Sequence, residues 1–238
     1  MSLKQEIAPN GVLRFAINVG NSVLTEYDTQ TGKVGGITVE IARDLAHKLD
    51  LPLELKIYRS ARTVVQDASK DIWDIGFIAR DPKRSAQITF TSPYILIEGC
   101  YLVRSSSNIA TNADVDHPSV TVAVGNGAAY DLFLTRHLQK AQIQRTDGTL
   151  GVLEMFEKHH LPVAAGIRQP LADYATQNDH VRLLPESFMF IEQAIATPAA
   201  NTSVQECLQA HVHGIIQTGY VKSLIERFGK TQASVPDA

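Results

Sequence analysis

Apolar and polar positions alternate along the first half of the chain in two different periods. Short apolar runs bounded by turn-forming residues predict strands, and apolar positions spaced three or four apart predict helices. The predicted elements, in order, are strand Val12–Val19, helix Ile37–Leu49, strand Leu53–Tyr58, helix Ser60–Ser69 and strand Ile72–Ala79. Strands that alternate with helices are typical of βαβ units, so we expect an α/β protein with largely parallel sheets.

A second alternating series occupies the middle of the chain. Its predicted strands and helices are Val120–Val124, Ala128–Leu138, Ala141–Arg145, Thr149–Lys158, Leu161–Ala165, Arg168–Gln177 and Val181–Leu184. Two longer apolar segments, Tyr94–Val103 and Phe188–Ala196, lie on either side of this series. The C-terminal part, Val204–Phe228, has helical spacing with a break at Thr218-Gly219.

The first predicted strand is followed by a long polar segment, Asn21–Gly35, rich in turn-forming residues. In open α/β sheets, ligands bind beyond the carboxyl ends of the strands. Asn18 and Asn21, at the end of this strand and just after it, are therefore candidate ligand contacts.

Composition and charge narrow the function classes. The chain has 238 residues, of which 44% are hydrophobic and 20% are charged, with a formal net charge of −3. These values are ordinary for a globular protein and give no reason to expect nucleic acid or an anionic membrane as a partner. No apolar run approaches the roughly 20 residues that a membrane-spanning helix needs.

No motif points to a metal, a cofactor or a catalytic residue. His159 and His160 are adjacent and His211 and His213 are two apart, which does not match the i,i+4 spacing of helical zinc ligands. A phosphate-binding loop and a local nucleophile motif are also missing. We expect the only two cysteines, Cys100 and Cys207, to be buried free thiols, although a single disulfide is compatible with export.

One short segment is suited to binding an anion. The apolar strand that ends at Ala79 runs into Asp81-Pro82-Lys83-Arg84, in which Asp81 can cap a helical turn and Pro82 fits its first position. The start of such a turn presents free backbone N–H groups. The planar guanidinium of Arg84 suits a carboxylate, so Arg84 is the strongest candidate for a ligand contact.

This segment and three others resemble one protein family. Residues 72–98 follow its pattern of a strand, T-P-E-R or similar, and then F-(S/T)-x-P-Y. Gly35–Ala42 resembles the opening of its first helix, Val122–Ala128 the start of its second lobe, and Gly219-Tyr220 its closing segment. With four motifs in order along nearly the whole chain, the sequence resembles family 3 of the bacterial extracellular solute-binding proteins, the periplasmic amino-acid-binding proteins of ABC importers.

The resemblance implies a type II periplasmic-binding-protein-like fold, with two α/β lobes joined by two crossing strands. It places lobe 1 at residues 1–102, lobe 2 at residues 103–195, and the return to lobe 1 at residues 196–238. It also implies a periplasmic monomer that captures a small carboxylate-bearing solute, most simply an amino acid or analogue. Hinge closure around the solute would then allow docking on the membrane subunits of an importer.

The resemblance also assigns roles to residues. At the position of Arg84, family members form a bidentate pair with the ligand α-carboxylate, and the positions of Ala79 and Asp81 supply backbone contacts. Lobe 2 is expected to complete the binding site with Asn126, Gly127, Ala128 and Ala129. Many family members have a threonine where this chain has Ala128, so one carboxylate contact is expected to come from the backbone alone.

The chain departs from the family where an aspartate binds the ligand ammonium. Ile167 occupies that place, followed by Arg168 and Gln169. Glu98, which interrupts an apolar run, is the best substitute anion. Otherwise Arg168 and Gln169 recognise a second acidic or polar group, and the ligand is not an ordinary amino acid.

Two other functions stay open at this point. A cyclohexadienyl-dehydratase-like enzyme shares this fold and could use Glu98 as its acid or base. A cytosolic ligand sensor is the second alternative, because the first residues contain no apolar signal core.

Overall fold

The computed structural model describes residues 2–198 and 201–236, and the chain divides into two compact units. Unit 1 comprises residues 1–96 and 192–238, and unit 2 comprises residues 97–191. The chain passes into unit 2 along strand β6 (Thr89–Arg104) and returns to unit 1 along strand β11 (Met189–Thr197). The boundaries expected from the resemblance, at 102/103 and 195/196, lie a few residues further along these same two strands.

Apart from the short strands β2 and β3, the elements of unit 1 alternate between strands and helices before β6, and two helices and a short strand follow β11. They are α1 (Leu3–Ile7), β1 (Leu13–Asn18), β2 (Glu26–Tyr27), β3 (Val34–Gly35), α2 (Ile37–Lys48), β4 (Leu53–Tyr58), α3 (Ala61–Gln66), β5 (Ile75–Ala79), the start of β6 (Thr89–Arg104), the end of β11 (Met189–Thr197), α8 (Thr202–Gln217), α9 (Tyr220–Arg227) and β12 (Ala233–Ser234).

Four neighbouring strands of unit 1 have the order β4–β1–β5–β11. β1 is parallel to both β4 and β5, whereas β11 is antiparallel to β5. Because β1 is apolar on both faces, with Phe15, Ala16 and Ile17 fully buried, helices must cover both sides of this sheet. The parallel βαβ organisation that the pattern predicted is therefore confirmed for this unit.

The segment predicted as an open polar loop, Asn21–Gly35, contains the small β2–β3 hairpin. It ends at Gly36, which precedes α2 with φ +98°, a conformation that favours glycine. A Cβ at this position would lie 2.7 Å from the carbonyl oxygen of Leu24. The backbone N–H of Thr38 donates to the same oxygen at 3.0 Å, which fixes the hairpin segment against the start of α2.

The apolar segment Tyr94–Val103 is part of a longer strand than the pattern indicated. β6 has 16 residues and continues through Pro93, which lacks a backbone N–H. Side chains supply nearby hydrogen bonds: the Thr91 hydroxyl accepts from the N–H of Ile195 at 3.1 Å, and Oε1 of Gln209 accepts from the N–H of Ser92 at 2.8 Å. These bonds let a strand tolerate the proline.

Two other predicted boundaries can be compared directly. β5 begins at Ile75 rather than Ile72, because Asp71 has φ +51° and the Asp74 carboxylate instead accepts the backbone N–H of Arg14 at 2.8 Å. The C-terminal helical segment is broken as predicted, because Gly219, between α8 and α9, is left-handed with φ +72°.

Unit 2 repeats the alternation on a smaller scale. Its elements are the end of β6, α4 (Asn112–Val115), β7 (Thr121–Gly125), α5 (Ala129–His137), β8 (Gln142–Thr146), α6 (Val152–Lys158), β9 (Val163–Ile167), α7 (Arg168–Thr176), β10 (Val181–Leu183) and the start of β11. The strands have the order β6–β9–β7–β8, with β10 also paired with β6. β7 is parallel to β8 and β9, and β9 is antiparallel to β6.

Each unit has its own apolar core. In unit 1, Trp73, Val64 and Ile78 are buried in one cluster, and the indole N–H of Trp73 donates to the Val64 carbonyl at 3.1 Å. In unit 2, Phe156 and Leu102 belong to a second cluster beneath α6. The α/β class is therefore confirmed, and none of the described helices is long and apolar enough to cross a membrane.

Candidate functional site

The unit 1 candidates gather where β5 ends. Ala79 is the last residue of β5, and its carbonyl oxygen accepts a hydrogen bond from Nη1 of Arg84 at 2.7 Å. Arg84 is only 3% exposed, so its guanidinium folds back under the strand end. The local sequence produces this geometry because a strand end followed by a tight turn leaves a free carbonyl that an arginine five residues later can reach.

Asp81 organises the turn that carries Arg84. Its carboxylate accepts the backbone N–H of Lys83 at 2.8 Å, and its carbonyl accepts the N–H groups of Arg84 and Ser85 at 3.0 and 3.1 Å. Residues 82–87 form hydrogen-bonded turns rather than an α-helix. The predicted capping role of Asp81 is therefore present, but it caps a turn.

The electrostatic state of Arg84 follows from its burial. Desolvation lowers the pKa of its guanidinium to about 10, and the charge of Asp81 opposes this shift. Arg84 is therefore a cation at neutral pH in a site that disfavours cations. A ligand carboxylate would offset that cost. Because Arg84 is only 3% exposed, its side chain or a residue that covers it has to move before an anion can reach the guanidinium.

Asn18 is the last residue of β1 and Asn21 follows it in the next turn. β1 runs parallel to β5, so both strands end at the same edge of the sheet. The side-chain oxygen of Asn18 accepts the N–H of Gly20 at 3.1 Å. That of Asn21 accepts the N–H of Val23 at 3.2 Å, and Asn21 is 8% exposed. These contacts give both oxygens a structural role in the turn after β1.

In unit 2, the predicted residues Asn126, Gly127 and Ala128 form the turn between β7 and α5, and Ala129 is the first residue of α5. Three of their backbone N–H groups already have protein acceptors. Those of Asn126, Gly127 and Ala128 donate to the Thr146 carbonyl at 3.0 Å, the Asp131 carboxylate at 2.8 Å and the Gly125 carbonyl at 3.0 Å.

The N–H groups of residues 126–128 are therefore not the donors that remain for an anion. α5 begins at Ala129, so its first N–H groups, starting at Ala129 and Tyr130, have no acceptor inside the helix. Gly127 is left-handed with φ +72°, which explains why glycine occurs there. Any anion contact from this turn therefore comes from the first turn of the helix.

Asp131 is the residue that sequence reasoning missed. It is 3% exposed, and its carboxylate accepts from the N–H of Gly127 at 2.8 Å and from Nε of Arg145 at 2.9 Å. It thereby ties the turn before α5 to the side chain of Arg145 on β8. An acidic residue in the first turn of a predicted helix, four positions after a glycine, was the available signal.

Glu98 and Arg168 are brought together within unit 2. Nε of Arg168 donates to Oε2 of Glu98 in a short contact, and Nη2 of Arg168 donates to the Pro185 carbonyl at 3.1 Å. The two side chains are 31% and 19% exposed. Glu98 is therefore not the isolated anion that the sequence suggested, although its Oε1 has no hydrogen-bond partner within the described residues.

Ile167 and Gln169 lie on either side of Arg168, at the junction of β9 and α7. Ile167 ends β9 and pairs with Gly99, next to Glu98 on β6. The side-chain oxygen of Gln169 is buried and has no hydrogen-bond partner among the described residues. Buried polar atoms normally have a hydrogen-bond partner, so Oε1 of Gln169 is a candidate acceptor for a donor group of a ligand.

The described parts of the chain contain no group of three or more His, Cys, Asp or Glu side chains that could hold a metal ion. Cys100 and Cys207 are both free, the first buried and the second half-buried. Burial raises the pKa of the Cys100 thiol to about 12, so this thiol is not a nucleophile at neutral pH.

Comparison with known proteins identifies a family over most of the chain. The model of "Bacterial extracellular solute-binding proteins, family 3" matches residues 14–231. No curated protein sequence matches the chain significantly.

Solved structures match the fold at low sequence identity. A mutant of ArgBP from T. maritima matches with a TM-score of 0.80 at 17% identity, covering 96% of this chain and 100% of that chain. An ancestral amino acid-binding protein, described as a precursor of cyclohexadienyl dehydratase, matches with 0.80 at 18% identity, covering 96% and 99%. A putative binding component of an ABC transporter from Wolinella succinogenes, complexed with lysine, matches with 0.79 at 19% identity, covering 92% and 95%.

Proposed function

Since the chain belongs to family 3 of the bacterial extracellular solute-binding proteins, we propose that it binds an amino acid or a close carboxylate-bearing analogue for import by an ABC transporter. The resemblance found in the sequence motifs is confirmed by the family match. Amino-acid binding is in keeping with the lysine complex among the similar structures. The identity of the solute and the import step belong to this proposal.

The observation that carries the proposal is the buried charge of Arg84. A guanidinium that is 3% exposed and has a pKa lowered by desolvation gains more from an anion than an exposed arginine does. A carboxylate fits the planar fork of this side chain with two parallel hydrogen bonds. We assign Arg84 to the α-carboxylate, with Ala79 and Asp81 holding the arginine in position.

In unit 2, we assign the first turn of α5, at Ala129, to the same carboxylate, because helix N-termini favour anions. Oε1 of Glu98 is the candidate for the ligand ammonium. Oε2 of this side chain stays with Arg168, so the carboxylate can be shared between the two cations. Gln169 offers its unpaired oxygen to a donor on the ligand side chain.

A solute that is held by groups of both units favours the conformations in which both groups reach it. We therefore propose hinge closure through β6 and β11 as the response to ligand, and recognition of the closed form by importer membrane subunits. A periplasmic location follows from the same proposal.

A cyclohexadienyl-dehydratase-like activity is the second candidate. Two observations favour it: Ile167 replaces the ammonium-binding aspartate, and a similar structure is described as a precursor of that enzyme. Glu98, which is paired with Arg168, would then be the acid or base.

The test is a ligand screen followed by an activity assay. Thermal shift with the protein amino acids, their deaminated analogues, prephenate and arogenate should identify a stabilising carboxylate, because a ligand that binds only the native state raises its stability. Calorimetry then gives the affinity. Stabilisation by an amino acid without any aromatic product from prephenate or arogenate supports the binder, and turnover of either compound supports the enzyme.

A further inference from the structure

β4 (Leu53–Tyr58) is an edge strand whose outer side is open to pairing. Within the described part of the chain it pairs only with β1. The carbonyls of Pro52 and Tyr58 accept from the N–H groups of Leu13 and Val19, both at 2.8 Å. Because strand residues alternate in direction, the even positions face β1, and the N–H and C=O groups of Leu53, Leu55 and Ile57 face outward.

The side chains of the same three residues are apolar and lie on one face of the strand. Leu53 is 36% exposed, Ile57 is 39% exposed, and Leu55 between them is half-buried. Edge strands are often protected from pairing by charges, prolines or bulges, and the two charges of β4, Glu54 and Lys56, lie on the face opposite the apolar strip. An exposed apolar strip on an open edge is therefore a surface that a second strand would cover.

The sequence of β4 is complementary to itself in one register. In an antiparallel pair with the two-fold axis at Leu55, this residue faces its own copy and Leu53 faces Ile57 of the second copy. On the other face, Glu54 of each copy lies opposite Lys56 of the other copy. Each chain thus places a carboxylate against an ammonium across the strand boundary.

Neighbouring registers lack this match. A shift that places an odd residue opposite an even one pairs outward groups with groups already bonded to β1, so it loses the hydrogen-bond ladder. An axis at Glu54 or at Lys56 keeps the ladder but sets that charge against the same charge of the second copy. An axis at Leu53 sets Glu54 against Pro52, and an axis at Ile57 sets Lys56 against Tyr58. Only the axis at Leu55 satisfies the backbone, the apolar strip and both charges.

We propose that the outer edge of β4 binds the β4 edge of a second copy of this chain and forms an antiparallel two-fold dimer centred on Leu55. The contact extends the sheet of unit 1 across the two copies, and it replaces the monomer expected from the resemblance. Because a single strand pair covers little surface, the dimer is weak and depends on protein concentration.

In a single chain, Nζ of Lys56 already lies 2.6 Å from Oε1 of Glu54 on the same strand. A strand that uses this pair only to stay soluble would carry the same two residues. The solubility explanation and the dimer make different predictions for variants in which these charges are reversed. Only in a dimer does the charge on one chain affect association through the charge on the opposite chain.

Sedimentation velocity over a concentration series tests the register. The variants E54K and K56E each place like charges opposite one another, so each should raise the dimer dissociation constant roughly tenfold. The double variant E54K/K56E should restore wild-type association. An equimolar mixture of the two single variants should associate better than either alone, because one edge is then basic and the other acidic.

K222E is the matched control, since Lys222 is an exposed lysine of unit 1 on α9, and it should associate like wild type. Thermal melts show whether each variant is folded, so that a loss of association can be told apart from a loss of folding. The substitutions in the single variants and in K222E are on the surface, so we expect all of them to fold. A wild-type protein that stays monomeric at the highest concentration overturns the proposal. So does a dimer that neither single variant weakens, or a double variant that fails to recover.

Discussion

Arg168 donates from Nε to Oε2 of Glu98, and this pair joins the start of α7 to β6 within unit 2. The sequence indicated that Glu98 could replace the missing family aspartate, because Ile167 cannot neutralise an ammonium. Because Glu98 already forms an ion pair, it does not replace that aspartate as an unpaired anion. Glu98 is paired with a cation of the protein through Oε2, and its Oε1 is left for a ligand.

Glu98→Gln should separate ligands that carry an ammonium from those that do not. An α-amino acid should lose roughly 2–4 kcal/mol of binding free energy, because its desolvated ammonium loses a charged partner. The deaminated analogue should bind as well as before or better, because a nearby like charge is removed. Calorimetric titration of matched pairs into both proteins measures the difference.

Arg168→Gln is the companion variant for this comparison. It removes the protein cation that is paired with Glu98. The preference for an amino acid over its deaminated analogue should therefore be larger in Arg168→Gln than in wild type.

An equal loss of affinity for both members of the ligand pair in Glu98→Gln would show that Glu98 acts through the structure, and the ammonium site would have to lie elsewhere.

Asp131→Asn should destabilise the protein and weaken ligand binding together. The buried carboxylate accepts from Gly127 and Arg145, and an amide cannot replace an ion pair. We expect a loss of about 1–3 kcal/mol in the free energy of unfolding, measured in urea. Asp173→Asn, on the exposed face of α7, is the control and should change neither quantity. Unchanged stability in Asp131→Asn would refute the assigned role.

His211 should make unit 1 sensitive to acid. This residue of α8 is 7% exposed, neither ring nitrogen has a hydrogen-bond partner in the described ranges, and desolvation lowers its pKa to about 4. The groups of α2 that face it are Lys48, which also lowers this pKa, and Asp44, whose Oδ2 lies 3.8 Å from Nε2 and which opposes the shift.

Because the folded state binds the proton less well than the unfolded state, stability is lost as the pH falls from the usual histidine value of 6.5 towards about 4. Between pH 7 and pH 5, this group alone should remove about 2 kcal/mol from the free energy of unfolding. Urea titrations of wild type and His211→Phe at both pH values measure it, with the exposed His213→Phe as control. An equal pH dependence in wild type and His211→Phe would exclude this group as the cause.

The sequence predicted the α/β class and most strands and helices because these depend on local periodicity and on turn residues such as Gly219. It missed the continuity of β6 through Pro93, since that depends on Thr91 and Gln209 reaching partners distant in sequence. Contacts between side chains far apart in the chain are not encoded in local patterns.

The same limit applies to the candidate site. The segment containing Ala79, Asp81 and Arg84 could be predicted because it is contiguous and carries a family motif. The pairing of Glu98 with Arg168 and the use of the Gly127 N–H by Asp131 could not, because each depends on how the elements of unit 2 pack. The roles proposed for these residues in binding a ligand stay predictions.

The assignment of Arg84 is the centre of this account. Arg84→Ala should abolish binding of the carboxylate ligand identified by the screen, a loss of about 3–5 kcal/mol, because the carboxylate loses its charged partner in a desolvated site. Lys83→Ala is the matched control and should be nearly silent, since Lys83 is exposed and only its backbone N–H contacts Asp81.

Isothermal titration of that ligand into wild type, Arg84→Ala and Lys83→Ala is the most direct measurement, with thermal melts to show that each variant is folded. We expect wild-type affinity for Lys83→Ala and no measurable binding for a folded Arg84→Ala. Binding to a folded Arg84→Ala within about threefold of wild type, a difference of less than 1 kcal/mol, would refute the assignment of Arg84.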